Sequence, residues 1–368
     1  MDNRNRVMNI LYKKSVDRMP ALHFGYWKEL LQEWADQGHI SRALAKTCLD
    51  GTAVDRHLDK LLGWDCCYTP RTAAITCVYP RYNSKTLRRA DGGRYYIDGN
   101  GVTLFEKDGA QGIPTEVDHL LKDRESYIKY YKDRMRYKKI RNLGSKLVLL
   151  RNKTDYYPRG YNVGSAIGTI RNICTVVGLS YLLYDDYELV KEIVDDFNNM
   201  QYQCLETMYK RGAKLDFLHY WEDICFKNGP LISPEMFKEL CLPHYKRVSE
   251  LAKSYGTDFI SVDCDGDIVK LAPIWEEAGV NVMFPIEYGT WEGDIAKIRK
   301  VAPTLLGIGG MNKNVLSLNE DAVDREIERL RPLVKLGGYI PCPDHRLPQG
   351  TKFELVKYYT SKIKTIME

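Results

Sequence analysis

Thr257-Asp258-Phe259-Ile260-Ser261-Val262-Asp263-Cys264-Asp265-Gly266-Asp267 is the stretch whose reading decides the fold. Phe259, Ile260 and Val262 form the short apolar run of a strand buried on both faces, and the run stops at three acids gathered around Gly266. In a parallel α/β protein the C-terminal ends of the strands face the ligand. Asp263, Asp265 and Asp267 at such an end read as a metal or proton-transfer site, and the alternative is an aspartate-rich turn capping a helix that begins near Ile268.

Working outward, the same pattern recurs. Leu215 to Tyr220 is a strand ending in Trp221-Glu222-Asp223, and Ser233-Pro234 starts the next helix with a capping serine and an N1 proline. Asn281 to Pro285 ends at Glu287, Thr304 to Ile308 at Gly309-Gly310-Met311, and Gly338 to Pro341 at Cys342-Pro343-Asp344-His345. Upstream, Ala21 to Phe24 precedes Gly25-Tyr26-Trp27, Trp64 to Tyr68 is short and bounded by Gly63 and Pro70, and 146–150 is a third apolar run. Strand centres at Leu22, Cys66, Val148, Phe217, Phe259, Val282, Leu305 and Tyr339, with helical segments between them, predict an α/β fold of the (β/α)8 TIM-barrel class.

Such a barrel needs about 250 residues, so the surplus is expected as an insertion within one barrel domain spanning 1–368. The insertion falls at about 77–140, where β-type residues alternate around Asp91-Gly92-Gly93 and Asp98-Gly99-Asn100-Gly101. Arg94 to Ile97 and Val102 to Phe105 are expected to pair as an antiparallel β-hairpin, followed by a helical region from Glu116 to Tyr137. The segment 155–161 reads as an aromatic loop leading to Gly164-Ser165-Ala166 at a helix entry, and a long helix is expected from Asp186 to Tyr209.

Composition limits the function classes. The 368 residues are 44% hydrophobic, and the formal charge of +5 is spread along solvated helix faces such as Arg134 to Arg141, so no nucleic-acid partner is expected. Ten cysteines without a Cys-x-x-Cys pair suit reduced thiols and a cytoplasmic location. The N-terminus lacks an apolar leader and no run approaches the roughly 18 apolar residues of a span, so no membrane association is expected. No Gly-x-Gly-x-x-Gly follows a strand, so no nucleotide fingerprint is assigned.

In the expected barrel the strand ends bring Glu222, Asp263, Asp265, Glu287 and His345 into one mouth. Crowded carboxylates share protons or bind a cation, and an added imidazole favours the cation. Asp263, Asp265 and His345 are the candidate ligands for zinc or another divalent metal, with Glu222 and Asp263 the candidate catalytic groups. His23, Tyr26, Trp27, His219, Trp221, Glu287 and Met311 are candidates for substrate contact. Structural alternatives are Glu222 holding a neighbouring loop through backbone amides, Asp263 capping a helix, His345 a satisfied histidine below Pro343, Tyr26 and Trp27 packing the first helix onto the barrel, and a structural His219. Cys264 and Cys342 are expected to pack.

Arg6-Val7-Met8, Asp17-Arg18-Met19-Pro20, Trp221-Glu222-Asp223 with Lys227 to Pro234, and Gly337 to Pro341 with Pro343-Asp344-His345 together resemble the uroporphyrinogen decarboxylase superfamily over nearly the whole chain. The resemblance implies the barrel and leaves two chemistries, porphyrinogen decarboxylation and corrinoid-dependent methyl transfer. Decarboxylases of the family carry Met-Arg-Gln-Ala-Gly-Arg after the first strand to grip substrate carboxylates, and this chain has His23-Phe24-Gly25-Tyr26-Trp27 there. The family's methyltransferases bind zinc through His-x-Cys and a later Cys; placed by the glycine that follows, these positions fall on Asp263, Asp265 and His345, a harder ligand set. The implied activity is corrinoid-dependent transfer of a methyl group from a small methoxylated or methylamine-type donor, with Glu222 as a further ligand or general acid. The alternatives are a uroporphyrinogen decarboxylase-like lyase and a non-catalytic ligand-binding barrel. The corrinoid is expected on a separate partner protein, since the nearest match to that module's Asp-x-His-x-x-Gly, Asp55 to Lys60, lacks the glycine. A homodimer is left open.

Overall fold

The computed structural model describes residues 1–109, 114–144 and 156–367. Its strands, in chain order, are β1 (Leu22–His23), β2 (Cys66–Cys67), β3 (Thr72–Ala73), β4 (Lys85–Ala90), β5 (Gly93–Ile97), β6 (Val102–Lys107), β7 (Thr115–His119), β8 (Gly160–Gly164), β9 (Phe217–Trp221), β10 (Cys225–Phe226), β11 (Gly229–Pro230), β12 (Phe259–Asp263), β13 (Val282–Ile286), β14 (Leu306–Met311) and β15 (Tyr339–Pro343). Seven of them form one parallel sheet in the order β15-β14-β13-β12-β9-β8-β3, while β1 and β2 form a separate parallel pair. A parallel bridge from Tyr26 to Leu347 ties the chain after β1 to the chain after β15.

β12 lies inside this sheet with all five residues buried, Phe259, Ile260 and Val262 supplying the apolar surface that a strand covered on both faces needs. Its register sets Asp263 beside Trp221 of β9 and Phe284 of β13, so β9 and β12 finish level with one another while β13 runs on to Ile286. The site is built on that edge.

The apolar run at 146–150 lies outside the described residues. A strand that the sequence conceals, β8, joins the sheet between β3 and β9 in the segment read as an aromatic loop. Its glycines hide it from pattern reading, yet Gly160 is required by packing: a Cβ there would stand 2.2 Å from the Phe217 ring.

Strands β4 to β7 make a four-stranded antiparallel sheet in sequence order. β5 and β6 are its inner strands, joined across Asp98–Gly101, and Tyr95 and Phe105 face each other with ring centroids 4.7 Å apart. β7 takes the start of the stretch expected to be helical. Helix signals elsewhere match: Asp186 caps Tyr187–Lys210 through the Leu189 N–H, and Ser233 caps Pro234–Ser254 through the Met236 N–H. All ten cysteines are free thiols. Among the described residues no helix is long and apolar enough to cross a membrane.

Candidate active site at the strand ends

Three carboxylates meet beyond β9 and β12. Asp223, Asp263 and Asp265 each offer an oxygen, and these atoms lie within 4.8 Å of one another. Asp263 closes β12 with its side chain almost wholly buried, and Asp265 follows one residue beyond Cys264. Asp223 reaches the cluster because its backbone turns into the left-handed region, φ 34°, immediately after Glu222. Burial, and then the neighbouring charges of Asp223, Asp265 and Glu287, push the Asp263 carboxyl well above the usual carboxylate range. Burial and Asp265 likewise raise Asp223.

Glu287 borders the cluster from the end of β13. Its Oε2 accepts the Gly266 N–H at 2.6 Å and its Oε1 accepts the Thr290 hydroxyl at 3.1 Å. Burial and the charge of Asp265 raise its pKa too. His345 comes from beyond β15, with Nε2 3.6 Å from Asp265 Oδ2. Its ring stacks on Trp27 at 5.9 Å and meets the edge of Phe24 at 5.4 Å. Phe24 in turn stacks on Trp221 at 6.3 Å, so an aromatic wall stands over the acids.

His219 approaches from within the sheet. Its Nδ1 is 2.6 Å from Ser261 Oγ, which also reaches the Leu218 carbonyl at 3.1 Å; with the hydroxyl proton on that carbonyl, Nδ1 donates to Oγ and Nε2 is left as a lone pair. That Nε2 stands 4.0 Å from Asp263 Oδ2. Burial pushes the imidazole pKa down to about 3, which keeps it neutral.

Several expected site residues lie elsewhere. Glu222 is fully buried and turned away: its carboxylate accepts the N–H groups of Ala166, Ile167 and Gly168 at 2.7–2.8 Å and a short bond from the Tyr245 hydroxyl. It anchors the start of the helix Gly168–Asp185, and the expectation of a ligand or acid at the mouth is corrected, with Asp223 in that place. His23 belongs to another buried group, where Nε2 meets Asp59 at 2.8 Å and Nδ1 accepts the Gly25 N–H at 3.0 Å. Both ring nitrogens are thereby used, although Asp55 and Cys67 lie close enough to resemble a ligand set. Tyr26 packs between His23 and Trp34, at centroid distances of 5.0 and 5.7 Å, and is 5% exposed, so its role is in the core. Met311 is buried at the end of β14, its carbonyl accepting the Asp344 N–H at 2.8 Å. Cys264 turns from the aspartates to accept the Ile224 N–H, and Cys342 is buried, as expected.

Sequence comparison supplies the family: residues 137–366, more than half of the chain, match the model described as Uroporphyrinogen decarboxylase (URO-D). The chain belongs to the URO-D family. No curated protein sequence matches it. Among solved structures, a methyltransferase from Methanosarcina mazei is similar over 99% of this URO-D-family chain and 98% of its own, at TM-score 0.63 and 12% identity. A B12-independent methionine synthase from Shewanella sp. W3-18-1 aligns over 94% of this chain and 96% of its own, at TM-score 0.46 and 9% identity. At such identities the first likeness bears on the fold alone.

The donor set in this URO-D-family protein suits a divalent cation. Asp263 Oδ2, Asp265 Oδ1 and His219 Nε2 are buried atoms without a hydrogen-bond partner among the described residues. Oxygen and nitrogen donors of this kind favour zinc or a harder divalent ion. The turn that presents them depends on Gly266, at φ +87°, where an added Cβ would stand 2.5 Å from the Phe226 carbonyl oxygen. Gly266→Ala is expected to cost about 1–3 kcal/mol through backbone strain and to weaken cation binding with it. Thermal denaturation and a zinc titration check this; an unchanged transition with unchanged affinity would contradict it.

Proposed function

We propose that this URO-D-family protein is a substrate-side methyltransferase, moving a methyl group from a small methoxylated or methylamine-type donor to a corrinoid carried by a separate protein. In this reading the seven-stranded sheet and the β1–β2 pair make one (β/α)8 barrel, and the chain at 85–119 is its insertion. The observation that carries the proposal is the acid cluster of Asp223, Asp263 and Asp265 under an aromatic wall of Phe24, Trp27 and Trp221. A tetrapyrrole bearing many carboxylates meets repulsion at such a floor, whereas a small donor with an apolar methyl group suits the wall.

Asp263 and Asp265, joined by Asp223, would hold the divalent cation, with His345 reaching Asp265 from the rim. When bound, such a cation supplies Lewis acidity toward the oxygen or nitrogen that leaves the methyl group. Glu287, whose carboxyl is raised by burial and by the charge of Asp265, borders the cluster and is the candidate group to pass a proton to the leaving oxygen or nitrogen. Trp27 and Trp221 exclude water and orient the methyl group toward the incoming corrinoid.

The test supplies the protein with a panel of methoxylated and methylated-amine donors and a cob(I)alamin-loaded carrier. A visible-spectrum change to methyl-corrinoid with at least one donor is expected. Release of carbon dioxide from uroporphyrinogen, with no corrinoid methylation across the panel, would overturn the proposal in favour of a decarboxylase-like lyase.

A further inference from the structure

We infer that His219, deep in the sheet on β9, is the imidazole ligand of the cation site. The inference rests on the cation-binding reading above and adds to it a residue that its position within a strand conceals. Nε2 of His219 and Oδ2 of Asp263 are both buried, both without a partner among the described residues, and 4.0 Å apart. Two acceptors cannot satisfy each other, so a shared electrophile belongs between them. The tautomer with its proton on Nδ1 suits this task. The Leu218 carbonyl takes the Ser261 hydroxyl proton, Ser261 Oγ takes the His219 Nδ1 proton, and the lone pair of Nε2 is left facing the carboxylate. Metal-bound imidazoles are held by such an outer hydrogen bond on the second nitrogen. The ring is also clamped by Trp221 at 4.8 Å and Phe284 at 5.6 Å, so its direction does not depend on the ion. His345, by contrast, is 23% exposed at the rim, with its Nε2 toward Asp265.

The ordinary alternative is a protonated Asp263 facing a neutral His219 with nothing between them. Pulsed EPR of the full chain loaded with one equivalent of Cu2+ separates the two, because a coordinated imidazole shows nitrogen modulation from its remote ring nitrogen. The modulation is expected in the wild type and in His345→Ala, and is expected to vanish in His219→Ala. Ser261→Ala removes the outer hydrogen bond, and with it the bond to the Leu218 carbonyl, while leaving the imidazole in place; it should alter the remote-nitrogen frequencies and weaken Cu2+ binding by about 10–100-fold, giving a second reading if His219→Ala does not fold. Absence of modulation in the wild type, its survival in His219→Ala, its loss in His345→Ala, or unaltered frequencies in Ser261→Ala would each overturn the inference. Methyl-corrinoid formation is measured separately. Modulation without methyl transfer therefore sinks the proposed reaction alone, and methyl transfer without modulation sinks His219 as the ligand.

Discussion

Glu222→Gln is expected to destabilise the protein by about 3 kcal/mol or more, a large share of the roughly 5–15 kcal/mol that holds a folded chain together. The carboxylate is fully buried, and its two oxygens receive three backbone N–H groups and the Tyr245 hydroxyl. An amide keeps one acceptor oxygen and turns an N–H2 group toward other donors, leaving buried N–H groups unmatched. The loop at Ala166–Gly168 and the helix after it lose their anchor. Chemical denaturation should show a lower midpoint with an unchanged slope. A normal midpoint together with lost methyl transfer would contradict this and return Glu222 to the chemistry.

Asp263→Asn is expected to act in the opposite sense on stability. In the cation-free protein the carboxyl is pushed well above its ordinary range, first by burial and then by Asp223, Asp265 and Glu287. A group raised in the folded state contributes stability that is complete below its unfolded pKa and is lost as pH rises through the folded one. The cation-free wild type should therefore weaken from mildly acid toward neutral and alkaline pH. Asp263→Asn should flatten that decline and gain about 1–2 kcal/mol at neutral pH, while cation affinity falls by more than the 10–100-fold typical of losing an outer-shell partner. Thermal scans across pH with a chelator present, paired with zinc titrations, check both halves. An asparagine variant less stable than the wild type at neutral pH, or one that keeps full affinity, would contradict the account.

The parts of this molecule legible in its sequence are those where one local force dominates. β12 shows itself because Phe259, Ile260 and Val262 make a short apolar run, and β9, β13, β14 and β15 lie within one to three residues of their expected bounds for the same reason. The caps at Asp186 and Ser233 are equally local. β8 was concealed because Gly160 and Gly164 answer to the Phe217 ring and to Gln201, neighbours far along the chain. Glu222 and Asp223 show the same limit at the site. Two adjacent acids end one strand, and which of them turns inward is decided by the left-handed backbone at Asp223 and by the amides that capture Glu222. His23 lies at the right strand end for substrate contact, yet Asp59 from the helix Ala53–Leu62 claims it. His219 was visible as a residue, but its bare Nε2 follows from Ser261 on the adjacent strand, a cross-strand relation that no local spacing reveals.

The most direct measurement of the central claim follows the methyl group itself. A methoxylated or methylamine-type donor carrying a trideuterated methyl group is incubated with the protein and a cob(I)alamin-loaded carrier, and the corrinoid is examined by mass spectrometry. The account predicts a corrinoid bearing the intact trideuteromethyl group, formed with the wild type and sharply reduced with Asp263→Asn. Unlabelled corrinoid across the donor panel, or labelling that proceeds equally well with Asp263→Asn, would contradict it.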